Sequence, residues 1–488
     1  MRTIMILHDT LRRDMLSCYN PDTDVKTPNM DALAADSIVF DKHFTGSMPC
    51  MPARRDIMCG RLNFLDRSWG PIEIFDETLP KTLSNKGIRS HMITDHAHYF
   101  RIGGENYCQQ FSTYEFFRGQ ESDPWVSLID DPKMPKDFFG EVKRQYECNR
   151  TKLKGEADYP SVKCFKAAMD WVDTNQDSDD FFLMVETFDP HEPFDVPREY
   201  LLDLYHDDYD GPHFDLPKYH KIDEETEEAM EHLKHRYKAL ITMTDKNLGL
   251  FIDKLKAAGM YEDTMIILTT DHGYCLGERE FIGKNYMPYY NELSNIPLII
   301  HLPKQEHAGE HRNEITQNID LMPTILEHHK VDIPERVTGK SLWPLINEKK
   351  PVKEYALYGC HGLSVNLFDG RYTYFRAPRR DDCCFEYTTS LTTIRHWLGK
   401  EIAEKIECGH FMKDVDLPVY KVPAVKNAIV SDNQYLKQDA LYDIESDPQQ
   451  LHSISDVTLI KDMEQKLSKA MSEHFAPDEQ WMRLGLDK

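Results

Sequence analysis

The side chains best suited to chemistry begin with one short stretch, Cys50-Met51-Pro52-Ala53-Arg54. Pro52 suits the first turn of a helix, because a backbone N–H there has no partner within the helix. We therefore predict a helix over Ala53 to Met58, ended by Gly60. The free N–H groups at its start favour a tetrahedral anion, and Arg54 adds two forked donors. A buried structural cysteine near a turn is the alternative.

Other chemically active side chains follow four apolar segments. Each segment is short and continuous, which is typical of a strand covered on both faces. Ligands bind outside the carboxyl ends of such strands, so four endings of this kind favour one shared site. Taken singly, an Asp-His-Gly is usually an ordinary turn, and a single histidine is more often structural. The endings are Asp9, Asp95-His96, Asp189 with His191, and Asp271-His272.

The elements that must position these residues alternate between helix and strand. This alternation predicts an α/β fold with a mostly parallel sheet over residues 1–350. Short strands and one amphipathic helix predict a smaller C-terminal α+β domain over residues 351–488. The clearest predicted strands are Thr3–His8, Ile38–Phe40, Ser90–Thr94, Phe181–Val185, Met265–Thr270, Ile296–Ile300, Tyr355–Tyr358, Ser364–Phe368 and Arg371–Phe375. The clearest predicted helices are Leu79–Lys86, Ser161–Asp173, Glu224–Ala258 and Leu459–His474.

Composition limits the classes of function. The chain has 488 residues and a formal net charge of −25, which argues against nucleic-acid binding and against docking on anionic membranes. No apolar run approaches the roughly 18 residues of a membrane span, and the N-terminus lacks the pattern of a signal peptide. Eleven cysteines without a spacing framework indicate reduced thiols. We therefore expect a cytoplasmic protein, in which a local cationic pocket could still bind an anionic substrate.

Two further segments are distinguished by their composition. Residues 97–160 are rich in Tyr, Phe and Trp, and they could form either a satellite core or a wall of the substrate pocket. Residues 203–228 are acidic and contain prolines, so we expect a solvated surface segment.

The order of the motifs along the chain resembles the sulfatase branch of the alkaline phosphatase superfamily. The resemblance implies a large mixed, mostly parallel sheet sandwiched by helices, with a smaller C-terminal antiparallel sheet and a packed helix. It covers most of the first 340 residues and a late segment. The matching motifs are Asp9, Cys50–Arg54 with Gly60-Arg61, Asp189-Pro190-His191, Asp271-His272-Gly273, Gly283-Lys284, Asn318–Thr324, Gly339–Leu342 and Leu441–Pro448.

The resemblance also implies the composition of the site. A maturation enzyme would oxidise Cys50 to formylglycine. The implied ligands of one divalent cation are Asp9, the modified Cys50, Asp271 and His272. Ca²⁺ is expected from the oxygen-rich set, and the imidazole leaves Mn²⁺ open. The implied catalytic residues are Cys50, Arg54, His191 and Lys284, and the expected substrate-binding residues are His96 and His98.

The implied reaction is hydrolysis of a sulfate monoester, on a sugar or an aryl group. The hydrated formylglycine would attack sulfur, while Arg54, Lys284 and the metal balance charge on the equatorial oxygens. Either His191 or Lys284 would protonate the leaving oxygen. A phosphonate monoester or phosphodiester hydrolase is the alternative, and an inactive binding protein is the third hypothesis. Relatives commonly form homo-oligomers, so an oligomer is possible.

Two positions depart from the family pattern, and two others have an open role. Thr10 stands where many members have a second aspartate. The segment Asp95-His96-Ala97-His98 lacks a lysine and shifts the histidine register. Sulfatases and phosphonate hydrolases differ here, so the substrate class depends on this segment. In the C-terminal part, His361 and Arg376 could reach the substrate or serve the structure alone.

Overall fold

The computed structural model describes residues 1–380, 382–424 and 438–488. The strands are β1 (Arg2–His8), β2 (Ile38–Phe44), β3 (Arg89–Thr94), β4 (Thr113–Phe116), β5 (Phe181–Thr187), β6 (His220–Lys221), β7 (Thr264–Thr269), β8 (Cys275–Leu276), β9 (Phe281–Gly283), β10 (Leu298–His301), β11 (His311–Gln317), β12 (Ala356–Gly359), β13 (Val365–Phe368), β14 (Tyr372–Arg376), β15 (Phe385–Thr388), β16 (Glu407–Gly409), β17 (Val419–Pro423) and β18 (Ala440–Asp443). The helices are α1 (Pro28–Ala35), α2 (Cys50–Cys59), α3 (Leu79–Ser84), α4 (Arg144–Arg150), α5 (Pro160–Asn175), α6 (Arg198–Tyr205), α7 (Glu227–Ala257), α8 (Asn291–Ser294), α9 (Leu321–His328), α10 (Trp343–Glu348), α11 (Lys400–Ala403), α12 (Val457–Glu473) and α13 (Glu479–Leu484).

The large sheet has eight strands in the order β11-β2-β10-β7-β1-β5-β3-β4. All its pairs are parallel except the two made by β10. In the register, Leu7 of β1 lies opposite Thr269 of β7 and Glu186 of β5, so these three strands end together. The residues that follow them therefore meet at one edge of the sheet, as the apolar segments predicted.

Helices cover both faces of this sheet. Ile4 and Ile6 of β1 face α5 and α7, where Phe165 and Leu240 belong to the same buried cluster. The alternate residues of β1 face the opposite cluster, which contains side chains of α2, α3 and α9. Because successive side chains point to opposite faces, a continuous apolar strand is the pattern that both layers require. The predicted sandwich of helices around a mostly parallel sheet is confirmed.

The C-terminal part contains an antiparallel sheet in the order β12-β13-β14-β18. Helix α12 packs on it, with Met463 and Leu467 in one buried cluster with Leu367 and Tyr374. This sheet also reaches the main sheet's site edge, because Gly359 pairs with Ser47, three residues before Cys50. Two three-stranded sheets, β15-β17-β16 and β6-β9-β8, complete the described structure. The domain boundary at residue 350 stays a prediction.

Segment 203–228 is mostly exposed or half-buried, as expected of a solvated face, but residues 214–217 are buried. Phe214 is buried in the core beneath α7, and Asp215 is buried in an ion pair with Arg150 at 3.1 Å. The acidic composition concealed these inward side chains, because a buried carboxylate with an arginine partner has the same sequence signature as an exposed one. Among the described helices, none is both long and apolar enough to cross a membrane.

Candidate active site

Cys50 is the first residue of α2 and is buried at the carboxyl edge of the large sheet. The helix begins three residues earlier than predicted and ends at Gly60, whose left-handed φ of 62° suits glycine. Asp56 of α2 accepts hydrogen bonds from Ser47 Oγ at 2.8 Å and from the Asn63 N–H at 2.7 Å. Burial raises the pKa of Asp56 to about 7. These contacts hold the chain on either side of the helix that presents Cys50.

Four predicted ligands lie together. One ligand atom from each of Asp9, Cys50, Asp271 and His272 falls within 4.8 Å of the others, and all four residues are buried. His272 Nδ1 is 2.9 Å from the Gly273 carbonyl, which assigns its proton to Nδ1 and leaves Nε2 as an acceptor. That Nε2 lies 3.3 Å from Cys50 Sγ. Two carboxylates, an imidazole and residue 50 form a donor set that fits a hard or borderline divalent cation.

Thr10 connects two of these ligands. Its hydroxyl donates to Asp9 Oδ1 at 2.6 Å, and its backbone N–H donates to Asp271 Oδ1 at 3.0 Å. Its backbone is left-handed, with a φ of 66°, which is rare for a β-branched residue. At the position where many sulfatases have a second aspartate, this chain therefore has a residue that orients the carboxylates on either side.

Arg54 is placed differently from the expectation that it forks onto substrate oxygens. It is fully buried, and protein groups occupy all five of its N–H donors, so none remains for a substrate. Arg54 therefore positions the surrounding carboxylates and the start of α2. Its partners are Glu186 (2.5 Å, from Nε), Asp271 (2.6 Å) and the Cys50 carbonyl (3.1 Å) from Nη1, and Asp9 (2.8 Å) and His96 Nδ1 (3.2 Å) from Nη2.

The two histidines expected to bind substrate are arranged in series. Because Arg54 donates to His96 Nδ1, the proton of His96 belongs on Nε2, which lies 3.1 Å from His98 Nδ1. His96 is fully buried and lies outside the pocket lining, so it contacts His98 and does not face the cavity, and substrate binding by His96 stays a prediction. His98 does line the pocket, and its Nε2–H points towards Glu121, 3.6 Å away. Burial keeps the pKa of both imidazoles well below the ordinary value, and both are neutral.

Lys284 and His191 both line the pocket beside Cys50. Lys284 Nζ lies 3.7 Å from Cys50 Sγ and 3.5 Å from a Glu192 carboxylate oxygen. Burial opposes its charge, yet the carboxylates of Glu192 and Asp9 raise the pKa of Lys284, which is protonated. His191 Nδ1 is bonded to the Glu192 carbonyl at 2.5 Å, and burial and Lys284 hold the pKa of His191 well below its ordinary value. His191 is therefore neutral, with Nε2 free of a proton.

The pocket has a volume of about 520 Å³, within the usual range for small-molecule sites. Residues 97–160 contribute both to the core and to the pocket wall, the two structures predicted for this segment. Their aromatic side chains Tyr99 and Tyr107 lie in the core, whereas the polar side chains of the same segment line the pocket. Pocket-lining residues that the sequence analysis missed include Trp69, Arg101, Glu121, Lys143, Glu192, Tyr219, Asn285 and Arg395. Only Glu192 had a signal, its position beside His191 between two prolines.

Three other predicted residues have structural contacts. Asp189, two residues after the end of β5, accepts hydrogen bonds from Gln120 at 3.1 Å and from the Ser161 hydroxyl. His361 Nδ1 bonds to the Phe64 carbonyl at 3.0 Å, outside the pocket lining. Arg376 forms ion pairs with Asp439 and Glu464 at 2.9 and 2.6 Å. These contacts favour a structural role for His361 and Arg376 over contact with the substrate.

Comparison with known proteins places this geometry in a family. The sulfatase family profile matches residues 2–331. An arylsulfatase of Clostridium perfringens (strain 13 / Type A) is 25% identical over 405 residues, which cover 74% of this chain and 81% of the relative.

Two solved structures share the fold. One is the protein BT4656 in complex with its substrate D-glucosamine-2-N,6-O-disulfate. Its TM-score is 0.68, with 17% identity, and the match covers 98% of this chain and 99% of the other. The other is a phosphonate monoester hydrolase of Agrobacterium radiobacter, with a TM-score of 0.68 and 18% identity over 97% and 95% of the two chains. The match of the family profile to more than half of the sequence shows that this chain belongs to the sulfatase family of enzymes.

Proposed function

We propose that this protein hydrolyses a sulfate monoester, of a sugar or an aryl alcohol, at formylglycine made from Cys50. The observation that carries the proposal is the position of Cys50. It lies on the pocket wall, 3.3 Å from His272 and 3.7 Å from protonated Lys284, within a buried set of four cation ligands. A structural cysteine requires none of these neighbours.

The thiol itself is a poor nucleophile in this setting. Burial and the charge of Asp9 raise the pKa of Cys50 well above its ordinary value, so no thiolate is available at neutral pH. This supports conversion of residue 50 by a maturation enzyme. Formylglycine at residue 50 would supply, once hydrated, a hydroxyl nucleophile for cleavage of the ester S–O bond with release of the alcohol, and a second hydroxyl that allows sulfate to leave afterwards.

The ligand set supports a single divalent cation, Ca²⁺ by its two carboxylates, with Mn²⁺ open because of the imidazole. When bound, such a cation would lower the pKa of a hydroxyl at residue 50. Arg54 holds Asp9 and Asp271 in place for that cation through ion pairs of 2.8 and 2.6 Å.

The remaining groups act on the ester. Lys284 places a positive charge beside residue 50, where it can neutralise charge on the sulfate oxygens. The Nε2–H of His98 points towards Glu121 at 3.6 Å, which is longer than a hydrogen bond, so a substrate oxygen could accept from it in place of Glu121. Lys284 also carries a proton that the leaving oxygen could take, whereas His191 would first have to gain one when the anionic substrate binds. The cytoplasmic location and a homo-oligomer remain predictions.

The test uses two esters with one leaving group, 4-nitrophenyl sulfate and 4-nitrophenyl phenylphosphonate. The protein is co-expressed with a formylglycine-generating enzyme. Cys50→Ala is the blank, and Cys59→Ala is the matched control, because Cys59 is a buried cysteine at the other end of α2. We expect sulfate turnover in the wild type and in Cys59→Ala, and none in Cys50→Ala.

Peptide mass spectrometry of residue 50 accompanies the assay. A preference for the phosphonate would replace the proposal with the hydrolase alternative. Full conversion of Cys50 without turnover of either aryl ester or of a panel of sugar sulfates would favour a binding protein. An unconverted Cys50 in the presence of the maturation enzyme would contradict the proposed nucleophile.

A further inference from the structure

Two arginines on the pocket wall have no anionic partner in the described part of the chain. Arg101 and Arg395 both line the cavity that contains Cys50. Among residues 1–380, 382–424 and 438–488, no carboxylate lies within ion-pair distance of either guanidinium. Lys143, on the same wall, contrasts with them, because it is paired with Glu121 at 2.9 Å. The two arginines are therefore the lining cations whose forked donors are available to a ligand.

Arg395 is held in position by its neighbours. Its guanidinium carbon lies 4.5 Å from the centroid of the Trp69 ring, in a cation–π contact. The segment that carries Arg395 contacts the rest of the protein at Thr389 and Thr392. The Thr389 N–H donates to a Glu73 carboxylate oxygen at 2.8 Å, and the Thr392 hydroxyl, which donates to the Thr393 carbonyl at 2.6 Å, lies 3.4 Å from the Ile102 carbonyl. Arg395 therefore lies over the pocket from the C-terminal part of the chain.

Arg101 reaches the same wall from the main domain. It directly follows the short helical turn that carries His98, and its N–H donates to the His98 carbonyl at 3.2 Å. The Gly104 N–H donates to the Arg101 carbonyl at 2.9 Å, which closes the next turn. The Thr392–Ile102 contact joins the two segments, so both arginines are brought to one side of the pocket. Two like charges so placed repel each other unless an anion binds them.

We propose that Arg101 and Arg395 bind a second anionic group of the substrate, separate from the ester cleaved at residue 50. The identity of that ester rests on the proposed function. The substrate class is then a sulfated sugar with a second anion, either another sulfate or the carboxylate of a linked uronic acid. Asn285 supports a sugar, because its Oδ1 is a buried acceptor of the pocket lining without a hydrogen-bond partner in the described structure.

The test compares three hexosamine probes. The first has one sulfate, the second has two, and the third has one sulfate and a glycosidically linked glucuronic acid. For each, kcat/KM is measured with the wild type, Arg101→Gln and Arg395→Gln. Lys400→Gln is the matched control, because Lys400 is an exposed cation five residues from Arg395 and outside the pocket.

We expect the wild type to prefer at least one two-anion probe over the one-anion probe. Each Gln variant should lose about 10-fold to 100-fold of that preference, the usual effect of a charge-assisted hydrogen bond. Arg395→Lys should retain part of it, since the charge remains without the fork. Lys400→Gln should leave the preference unchanged. Which two-anion probe is preferred identifies the second group as sulfate or carboxylate.

Binding to the Cys50→Ala protein by calorimetry provides a readout without turnover. If no probe is cleaved but the two-anion sugars bind more tightly through the two arginines, the proposed function fails and this subsite stands. If all probes bind equally, or if the Gln variants weaken all three by the same factor, the subsite is refuted whatever the activity at residue 50.

Discussion

Two groups of arginines in this molecule differ in whether carboxylates neutralise their charge. In the inner cluster, Arg54 is fully buried and three carboxylates, of Asp9, Glu186 and Asp271, surround it. At the pocket rim, Arg101 and Arg395 face the cavity without a carboxylate partner among the described residues. The comparison shows that the inner charges hold one another in place, whereas the rim charges are free to respond to a ligand.

The two groups also arise from different parts of the fold. The inner cluster comes from the ends of β1, β5 and β7 and from the first turns of α2, all rigid elements with aligned ends. The rim comes from segments between elements, one after β3 and one after β15. Strand ends position reacting groups accurately, while connecting segments can vary with the substrate.

The largest expected effect is on the inner cluster. Arg54→Met keeps the volume of the side chain but leaves three buried carboxylates facing one another, which should cost about 3–5 kcal/mol of unfolding free energy. Urea unfolding of both proteins after removal of metal with a chelator measures this loss of unfolding free energy. Arg395→Met at the rim is the control and should change stability by less than about 0.5 kcal/mol. Equal losses in the two variants would remove the distinction between inner and rim charges.

Asp189 is a buried carboxyl group without an arginine partner, so its effect on stability should depend on pH. Burial raises the pKa of Asp189 to about 6, so its protonated form is favoured in the folded state. Its contribution to stability is therefore present below about pH 4 and is lost as the pH rises through 6. The stability of Asp189→Asn relative to wild type should accordingly rise by about 3 kcal/mol between pH 4 and pH 8.

Urea unfolding across this pH range, with both proteins at equal ionic strength, measures the difference. Asp173→Asn, at an exposed side chain, is the control for removal of one carboxyl. A difference between Asp189→Asn and wild type that does not change with pH would show that Asp189 is ionised throughout.

The smallest of the three effects concerns cation binding. Ca²⁺ or Mn²⁺ added to the chelated wild type should stabilise it by about 2.7 kcal/mol at a hundred times the Kd. Asp271→Asn should lose most of this shift, because it removes a ligand next to Arg54. Asp223→Asn is the matched control, since Asp223 belongs to a less buried group with His220 and Glu225. Thermal unfolding gives the result, and a shift that survives Asp271→Asn would place the cation elsewhere.

Much of the framework was predictable from local patterns. The strand before Asp9 and the strand before Asp271 are uninterrupted apolar runs, and both lie within one residue of their predicted starts. Both therefore identified the sheet edge correctly. The composition of 203–228 predicted a mostly solvated segment but not the buried residues 214–217, because polar composition does not distinguish an exposed carboxylate from a buried one with a partner, as at Asp215.

The roles of individual side chains were less predictable. Arg54 has the residue type and position of a substrate-binding group, yet its donors bond to three carboxylates distant in sequence, to the Cys50 carbonyl and to His96. His96 and His98 are two residues apart and look equivalent, but only His98 reaches the pocket. Such differences depend on which way a side chain points after packing, and neither periodicity nor motif spacing carries that information.

The sequence by itself determined the helix at Cys50, the order of the chemically active motifs and the family, because these depend on residue type and on neighbours along the chain. Only the tertiary structure decided which arginines have carboxylate partners and which can bind a ligand instead. Glu186 lies 132 positions from Arg54 and forms an ion pair with it, while Arg395, from the C-terminal part of the chain, lies beside Trp69 and has no carboxylate partner among the residues that the structure describes. Charge balance inside a protein is set by distances between groups that the fold brings together.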